Sequence, residues 1–329
     1  MKCCMNVRKC VTLLVCLALL TGLCTAFIGC EKASPSDTGC TVIICTNYAA
    51  LQLARGVLLS YQSNGGEGVV QLLALGNQGQ DMHSYEPTAK DIIELASADV
   101  VVCAGAEGWL DAALSSAGNG DVTRVTMMEV CDTVDGDHDH DHDHDHSHGG
   151  EDCSLIGQDE HVWLSVDNAI RITEALEKAL CRVDEASASA WQASGAAFRN
   201  ELVSLKADYA AMMATATRDT VVIADRYPFA YLFRELGLNC VAAFPGCSSE
   251  TSASFATQTR LIETVKELSI PYVFVMEGSD RKVAEVVARE TGAGILTLDS
   301  MQVMKDFSAS ASYVEIMRKN LENLKKALQ

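Results

Sequence analysis

Short apolar runs alternate with longer amphipathic stretches along most of this chain. From residue 41 the runs TVIIC, GVVQLLAL and DVVVC predict buried strands, and helical patterns follow them through ALQLARGVLLSY, AKDIIELAS and WLDAAL. Strands that alternate with helices in this way are typical of an α/β unit with a parallel sheet. The first part of the chain therefore predicts one α/β lobe.

A second block of the same kind follows residue 217. TVVIA, CVAAF, YVFVM and GILTL predict four more strands, again separated by helical patterns. Between the blocks lie a helix from about Val166 to Cys181 and a longer, proline-free helix that starts after Asp184 and runs to about Thr217. We expect an α/β protein of two lobes, each with a mainly parallel sheet flanked by helices. One long helix joins them, and the ligand site lies in the cleft between the lobes.

These patterns divide the chain into five predicted parts. They are a signal segment at 1–30, a flexible tether at 31–40, an N-terminal lobe at 41–183 that includes a histidine-rich loop at 132–152, a linking helix at 184–217, and a C-terminal lobe at 218–329.

The first thirty residues are typical of a secretory signal. Three cations precede the apolar run Val11–Gly29, which ends at Cys30. Small Gly29 before Cys30 resembles a bacterial lipobox, so Cys30 is the expected lipidation site and the protein is expected to be anchored outside the bacterial cell membrane. An uncleaved N-terminal anchor is the alternative, and it would export the remaining chain equally.

Charge and cysteine spacing narrow the function further. The chain has a net charge of -19, which excludes nucleic acid as a partner. No CxxC pair occurs among the cysteines after Cys30, which argues against a thiolate zinc site. Cys240 and Cys247 are close enough in sequence to form a disulfide, but a free buried cysteine is the other possibility.

Six of the eight histidines fall within eleven positions of one acidic tract. They alternate with aspartates and are His138, His140, His142, His144, His146 and His148. No apolar position in the tract could hold a fixed strand, so we expect a flexible loop with weak, exchangeable metal sites. Aspartates favour protonated imidazole, which cannot bind metal, so acid should release metal from this loop first.

The other two histidines occupy predicted loops, where functional groups are often displayed. His83 lies in DMHSYEPT before a helix, and His161 lies in DEHVWLS before another. Each alone could be a surface imidazole of no special function.

Together, these two motifs and the acidic histidine loop between them resemble the extracytoplasmic solute-binding proteins of zinc and manganese ABC transporters. The similarity continues through AFPGCSSETSASF and LTLDS, and covers essentially the whole chain after Cys30. It implies two α/β lobes joined by one long helix, a transition metal held in the cleft, and His83 and His161 as ligands.

Two aspartates at predicted strand ends are candidates for the remaining ligands. Asp299 matches the carboxylate ligand of the family, and Asp225 ends another strand facing the cleft. At Arg226 the family usually has histidine or glutamate, and arginine cannot coordinate a cation. Asp225 could supply the missing ligand, as could Glu107 or another acid from the first lobe, or water. Asp225 could also simply pair with Arg226.

The sequence thus predicts a protein that captures zinc outside the cytoplasmic membrane and delivers it to an ABC permease. It is expected to be a monomer without catalytic activity. Manganese is the alternative metal, although imidazole enrichment suits zinc better. A buffering protein that acts through the histidine tract is another alternative, as is a metallohydrolase, but the HExxH pattern is missing.

Overall fold

The structure is a computed structural model that describes residues 40–133, 159–245, 253–305 and 311–329. The described residues belong to one compact unit, Gly39–Gln329. The predictions for Cys30, the histidine tract and Cys247 fall outside the described residues.

The N-terminal lobe is built on a parallel four-stranded sheet within the described part of the chain. Its strands are β1 (Cys40–Cys45), β2 (Val69–Ala74), β3 (Val100–Cys103) and β4 (Thr123–Thr126), arranged in the order β2-β1-β3-β4. The helices are α1 (Tyr48–Leu58), α2 (Ala89–Leu95) and α3 (Leu110–Ser116). All four residues of β3 are buried, as expected for a parallel strand with both faces covered.

Two helices connect the lobes. They are α4 (Val166–Val183) and α5 (Ala188–Met213), and a 3-10 turn at Glu185–Ser187 separates them. At about 1.5 Å per residue, the 26 residues of α5 span roughly 39 Å. The helix contacts α1 of the N-terminal lobe and also elements of the C-terminal lobe.

The long helix is shorter than the sequence predicts, and its last turn shows why. Helical structure was expected as far as Thr217, but α5 ends at Met213. The backbone N–H and the hydroxyl of Thr217 both donate to the carbonyl oxygen of Leu328, at 2.8 and 3.1 Å. These bonds to the C-terminal helix draw the chain away from the axis of α5.

The C-terminal lobe repeats the architecture of the first. Its strands are β5 (Thr220–Tyr227), β6 (Asn239–Pro245), β7 (Tyr272–Met276) and β8 (Gly294–Leu298), arranged in the order β6-β5-β7-β8. The helices are α6 (Ala230–Leu236), α7 (Phe255–Glu267), α8 (Lys282–Thr291) and α9 (Tyr313–Leu328). All of the described strand pairings are parallel, so the predicted fold class is confirmed.

One apolar core continues through both lobes. Its buried members include Ile43 in β1, Trp191 and Leu202 in α5, Phe274 in β7 and Leu324 in α9. Because α5 contributes side chains to this shared core, it stabilises the lobes as a single body. Within the described ranges, no helix combines the length and the apolar composition needed to cross a bilayer.

The packing of α1 against α5 yields a stability prediction. Gly56 of α1 lies so close to the ring of Phe198 that a Cβ at this position would overlap the ring. Alanine is the better helix former by about 1 kcal/mol, but overpacking costs about 1–3 kcal/mol. We expect Gly56→Ala to lower the free energy of unfolding in urea by about 1 kcal/mol or more.

Gly120→Ala is the matched control, because a Cβ there would meet no atom within 4 Å. It should change stability by less than about 0.5 kcal/mol. A Gly56→Ala variant as stable as the parent would contradict the close packing described here.

Candidate metal centre

His83 is held by the aspartate two residues before it. Asp81 caps the 3-10 turn Met82–Ser84, and its Oδ1 accepts the backbone N–H of His83 at 3.0 Å. The same oxygen lies 2.8 Å from Nδ1 of the His83 ring. The side chain of His83 is 25 % exposed, so this imidazole is reachable from solvent.

His161 repeats this arrangement in the interior. Asp159 Oδ1 accepts the backbone N–H of His161 at 2.8 Å and lies 2.6 Å from its Nδ1. His161 is 0 % exposed. The hydroxyl of Tyr231, from the C-terminal lobe, donates to the carbonyl oxygen of Asp159 at 2.6 Å and holds this segment in place.

These contacts determine which ring nitrogen can bind a metal. A carboxylate beside Nδ1 favours the tautomer with its proton on Nδ1, which leaves a lone pair on Nε2. Asp159 therefore leaves Nε2 of His161 as a neutral ligand atom. Asp81 orients the ring of His83 in the same way, but Nε2 of His83 also faces a carboxylate, that of Glu160, and becomes a ligand atom when a metal replaces its proton. An aspartate behind a histidine is also the partner that metal-binding imidazoles commonly have.

Glu160 completes a cluster that could hold a metal ion. Its Oε1 lies 2.8 Å from Nε2 of His83. One ligand atom each from His83, Glu160 and His161 lies within 4.8 Å of the others, and the two imidazole ring centroids are 5.5 Å apart. Two nitrogen ligands and one carboxylate oxygen are suited to zinc and related divalent metals.

The C-terminal lobe reaches this cluster through the segment after β8. The N–H of Gly79 donates to the carbonyl oxygen of Met304 at 2.7 Å. The N–H of Met304 donates to the carbonyl oxygen of Gln80 at 3.0 Å. The bond from Met82 N–H to the Gln302 carbonyl oxygen is longer, at 3.4 Å. This short antiparallel ladder places the Gln302 side chain against Nε2 of His161.

Arg226 approaches the cluster as a partner of Asp81. The pairing of β5 with β6 shifts register between Ile223 and Arg226, an irregularity of the kind that redirects a side chain. Arg226 Nη1 lies 3.2 Å from Asp81 Oδ2. Burial alone raises the pKa of Asp81, but hydrogen bonds from His83 and the charges of His83 and Arg226 outweigh it and hold this pKa well below its usual range.

The structure places Asp225 beside the backbone of its own sheet. Its Oδ1 accepts the N–H of Arg226 at 2.8 Å, and its Oδ2 accepts the N–H of Met276 at 3.0 Å. Asp225 thus bridges β5 to β7 where their main-chain pairing is sparse. It is not in the group of ligand atoms around His83.

Asp299 also lies outside that group. Its Oδ1 accepts the N–H of Met301 at 3.0 Å, and its Oδ2 pairs with the ammonium group of Lys305. Glu107, the other acid considered from the sequence, accepts N–H bonds from Ala104 at 2.9 Å and Gly105 at 2.7 Å. Each of these carboxylates thus already accepts hydrogen bonds or an ion pair within its own lobe.

Glu277 is a half-buried acid that the sequence did not reveal. Its carboxylate accepts the N–H and the hydroxyl of Ser300, at 2.7 and 2.8 Å, and the N–H of Gln302 at 3.1 Å. Burial, together with the nearby carboxylate of Asp299, raises the pKa of Glu277 to about 7. It anchors the segment that carries Gln302.

The sequence analysis did not identify several residues of the centre, although the sequence contains a pattern that marks them. DMH and DEH are two copies of one pattern, an aspartate two residues before a histidine. That repetition could have identified Asp81 and Asp159, and Glu160 is the middle residue of the second copy. No local pattern indicates Gln302, because its position depends on contacts between the lobes.

Two parallel sheets joined by a long helix, with two histidines at the cleft, define the class of two-lobed solute-binding proteins. Within this class, the chain belongs to the family described as zinc-uptake complex component A, periplasmic (ZnuA), whose model matches residues 63–327.

Known proteins of similar sequence and fold agree with this assignment. The zinc-binding lipoprotein AdcA of Streptococcus pneumoniae is 28% identical over 318 residues, which are 93% of this chain and 60% of AdcA. This chain therefore spans less than two thirds of that relative. A putative metal-binding protein of Treponema pallidum is 27% identical, and the match covers 94% of this chain and 95% of the relative. A crystal structure of ZnuA shares the fold, with a TM-score of 0.70 and 19% sequence identity. The match covers 88% of this chain and all of the ZnuA chain.

The hydrogen bond to Asp159 predicts the tautomer of His161. In the metal-free protein, we expect nitrogen-15 NMR at pH 8 to show His161 with a proton on Nδ1 and none on Nε2. Asp159→Ala should increase the population of the other tautomer, because the acceptor for Nδ1–H is lost. Observation of a proton on Nε2 of His161 in the parent protein would contradict this arrangement.

Proposed function

We propose that this protein captures zinc outside the cytoplasmic membrane and delivers it to an ABC permease. The observation that carries the proposal is the cluster of His83, Glu160 and His161, with its ligand atoms within 4.8 Å of one another at the cleft. The family assignment and the zinc-binding AdcA relative support the same function.

Zinc fits this cluster better than manganese does. Two neutral imidazoles and one carboxylate match the nitrogen and oxygen ligands that zinc commonly takes at about 2.0–2.2 Å. Manganese prefers sites richer in oxygen and binds most mixed sites more weakly. We therefore infer that the cleft selects zinc when both metals are present at similar concentrations.

The remaining features of the proposal concern where the protein works. We infer that Cys30 carries a lipid, that the protein works as a monomer at the outer face of the membrane, and that its partner is the permease. The AdcA relative is described as a lipoprotein, which supports the anchor. The histidine tract would serve as an accessory collector that supplies the cleft. No catalytic step is needed for this function.

Zinc titration of a protein that lacks residues 136–149 tests the proposal. The deletion removes the six tract histidines, so the remaining tight binding reports on the cleft. We expect one zinc per chain, bound more tightly than manganese. His83→Ala and His161→Ala should each lower zinc affinity by at least about a hundredfold, since each removes a ligand. Glu263→Gln is a control for charge, because Glu263 is exposed on α7.

The other outcomes separate the alternatives. Loss of all tight binding on deletion of the tract would favour a buffering protein and overturn the proposal. Unchanged affinity in both histidine variants would place the centre elsewhere. Asp225 and Asp299 stay predicted ligands, and their alanine variants test them in the same titration. A large loss in either would mean that the carboxylate leaves its present bonds when zinc binds.

A further inference from the structure

Gln302 is a buried amide at the centre that has no evident role in a protein without metal. Its side chain is 2 % exposed and contacts Nε2 of His161. Among the residues that the structure describes, no group donates a hydrogen bond to its Oε1. A buried carbonyl oxygen without a donor is uncommon and requires an explanation.

His161 cannot be the missing hydrogen-bond donor to Oε1 of Gln302. Because Nδ1 bonds to Asp159, Nε2 offers a lone pair and no proton. Gln302 can face that lone pair only with its NH₂ group, which leaves Oε1 unsatisfied. A cation between the two residues would satisfy both groups, because Nε2 of His161 and Oε1 of Gln302 could then both act as ligands. Amide nitrogen and oxygen exchange places by a simple rotation.

The backbone around Gln302 is arranged to hold this side chain in place. Met301 adopts a left-handed φ of 58°, which a residue with a side chain rarely takes. Asp299 accepts the N–H of Met301, and Glu277 accepts the N–H groups of Ser300 and Gln302. Backbone held in such a sparsely populated conformation is found most often at functional sites.

We propose that Gln302 is a metal ligand through Oε1, contributed by the C-terminal lobe. The proposal rests on the metal-binding function inferred above. With His83 Nε2, His161 Nε2 and a Glu160 oxygen, Gln302 completes the four ligands that a closed zinc site usually has. The present contacts pair these groups, His83 with Glu160 and Gln302 with His161, as expected for ligands that converge on one ion.

The charges around the four groups fit a divalent ion. Asp81, Glu160 and Asp159 contribute three carboxylates, and Arg226 compensates one of them through Asp81. Two negative charges remain for the ion. A neutral amide as the fourth ligand leaves this balance unchanged.

The test compares Gln302→Met, Gln302→Glu and the control Gln80→Met in the protein that lacks the tract. Methionine has a similar length but no amide, and glutamate keeps a side-chain oxygen. Gln80 lies in the same ladder, but its Oε1 accepts the N–H of Asn77 instead of facing the centre. The readouts are zinc affinity by chelator competition and the visible absorption of bound Co²⁺, which reports on the ligands directly.

We expect Gln302→Met to weaken zinc binding by at least about tenfold. Even the loss of a residue that only hydrogen-bonds to a ligand lowers metal affinity by about 10–100-fold. The Co²⁺ spectrum should change in the same variant. Gln302→Glu should bind zinc within about tenfold of the parent, and Gln80→Met should match the parent in affinity and spectrum.

Two results would overturn the proposal while leaving the proposed function intact. Parent-like affinity and spectrum in Gln302→Met, with binding still lost in His161→Ala, would show that Gln302 is not a ligand. Tighter zinc binding in Gln302→Met would show that the amide competes with zinc for His161. Unchanged affinity in both His83→Ala and His161→Ala would instead contradict the proposed function itself.

Discussion

The contact between each histidine and the aspartate two residues before it is the interaction on which the centre depends. A single aspartate oxygen accepts the backbone N–H and faces ring Nδ1, so backbone and ring are oriented together. Without that contact, the imidazole could rotate and take either tautomer. With it, both rings are oriented before any ligand arrives, with Nε2 of His83 facing Glu160 and Nε2 of His161 facing Gln302, so little further ordering is required on binding.

The C-terminal lobe contributes to the centre through charge and position. Arg226 cannot bind a cation, but its guanidinium group lies beside the carboxylate that orients His83. Asp299 directly follows β8, whereas Asp225 lies within β5, two residues before its end and not at the strand end that the sequence predicts. The oxygens of both stabilise backbone and lysine groups of the same lobe. Acids at the rim of a parallel sheet therefore stabilise the loops of the cleft as well as serving as candidate ligands.

The sequence predicted the architecture well because that architecture depends on local patterns. Apolar runs such as DVVVC mark buried strands, and the proline-free stretch after Asp184 indicates the long helix. His83 and His161 were identifiable as candidates from two short motifs. The contact of Gln302 with His161 and the register shift at Arg226 were not predictable, because each depends on partners far away in sequence. The early end of α5 has the same cause, a bond between Thr217 and Leu328.

The antiparallel ladder between residues 79–82 and 302–304 has a consequence for how the cleft moves. Each of its three backbone hydrogen bonds contributes about 0.5–1.5 kcal/mol net, so parting the lobes at this edge requires a few kcal/mol. On the same side, Trp163 donates to the Ser300 carbonyl oxygen at 2.9 Å and receives the Tyr313 hydroxyl on its own carbonyl oxygen at 2.7 Å. The cleft is therefore fastened along one edge, while His83 lies at its accessible side. A displacement confined to the His83 side chain would leave these bonds in place, whereas parting the lobes would break them.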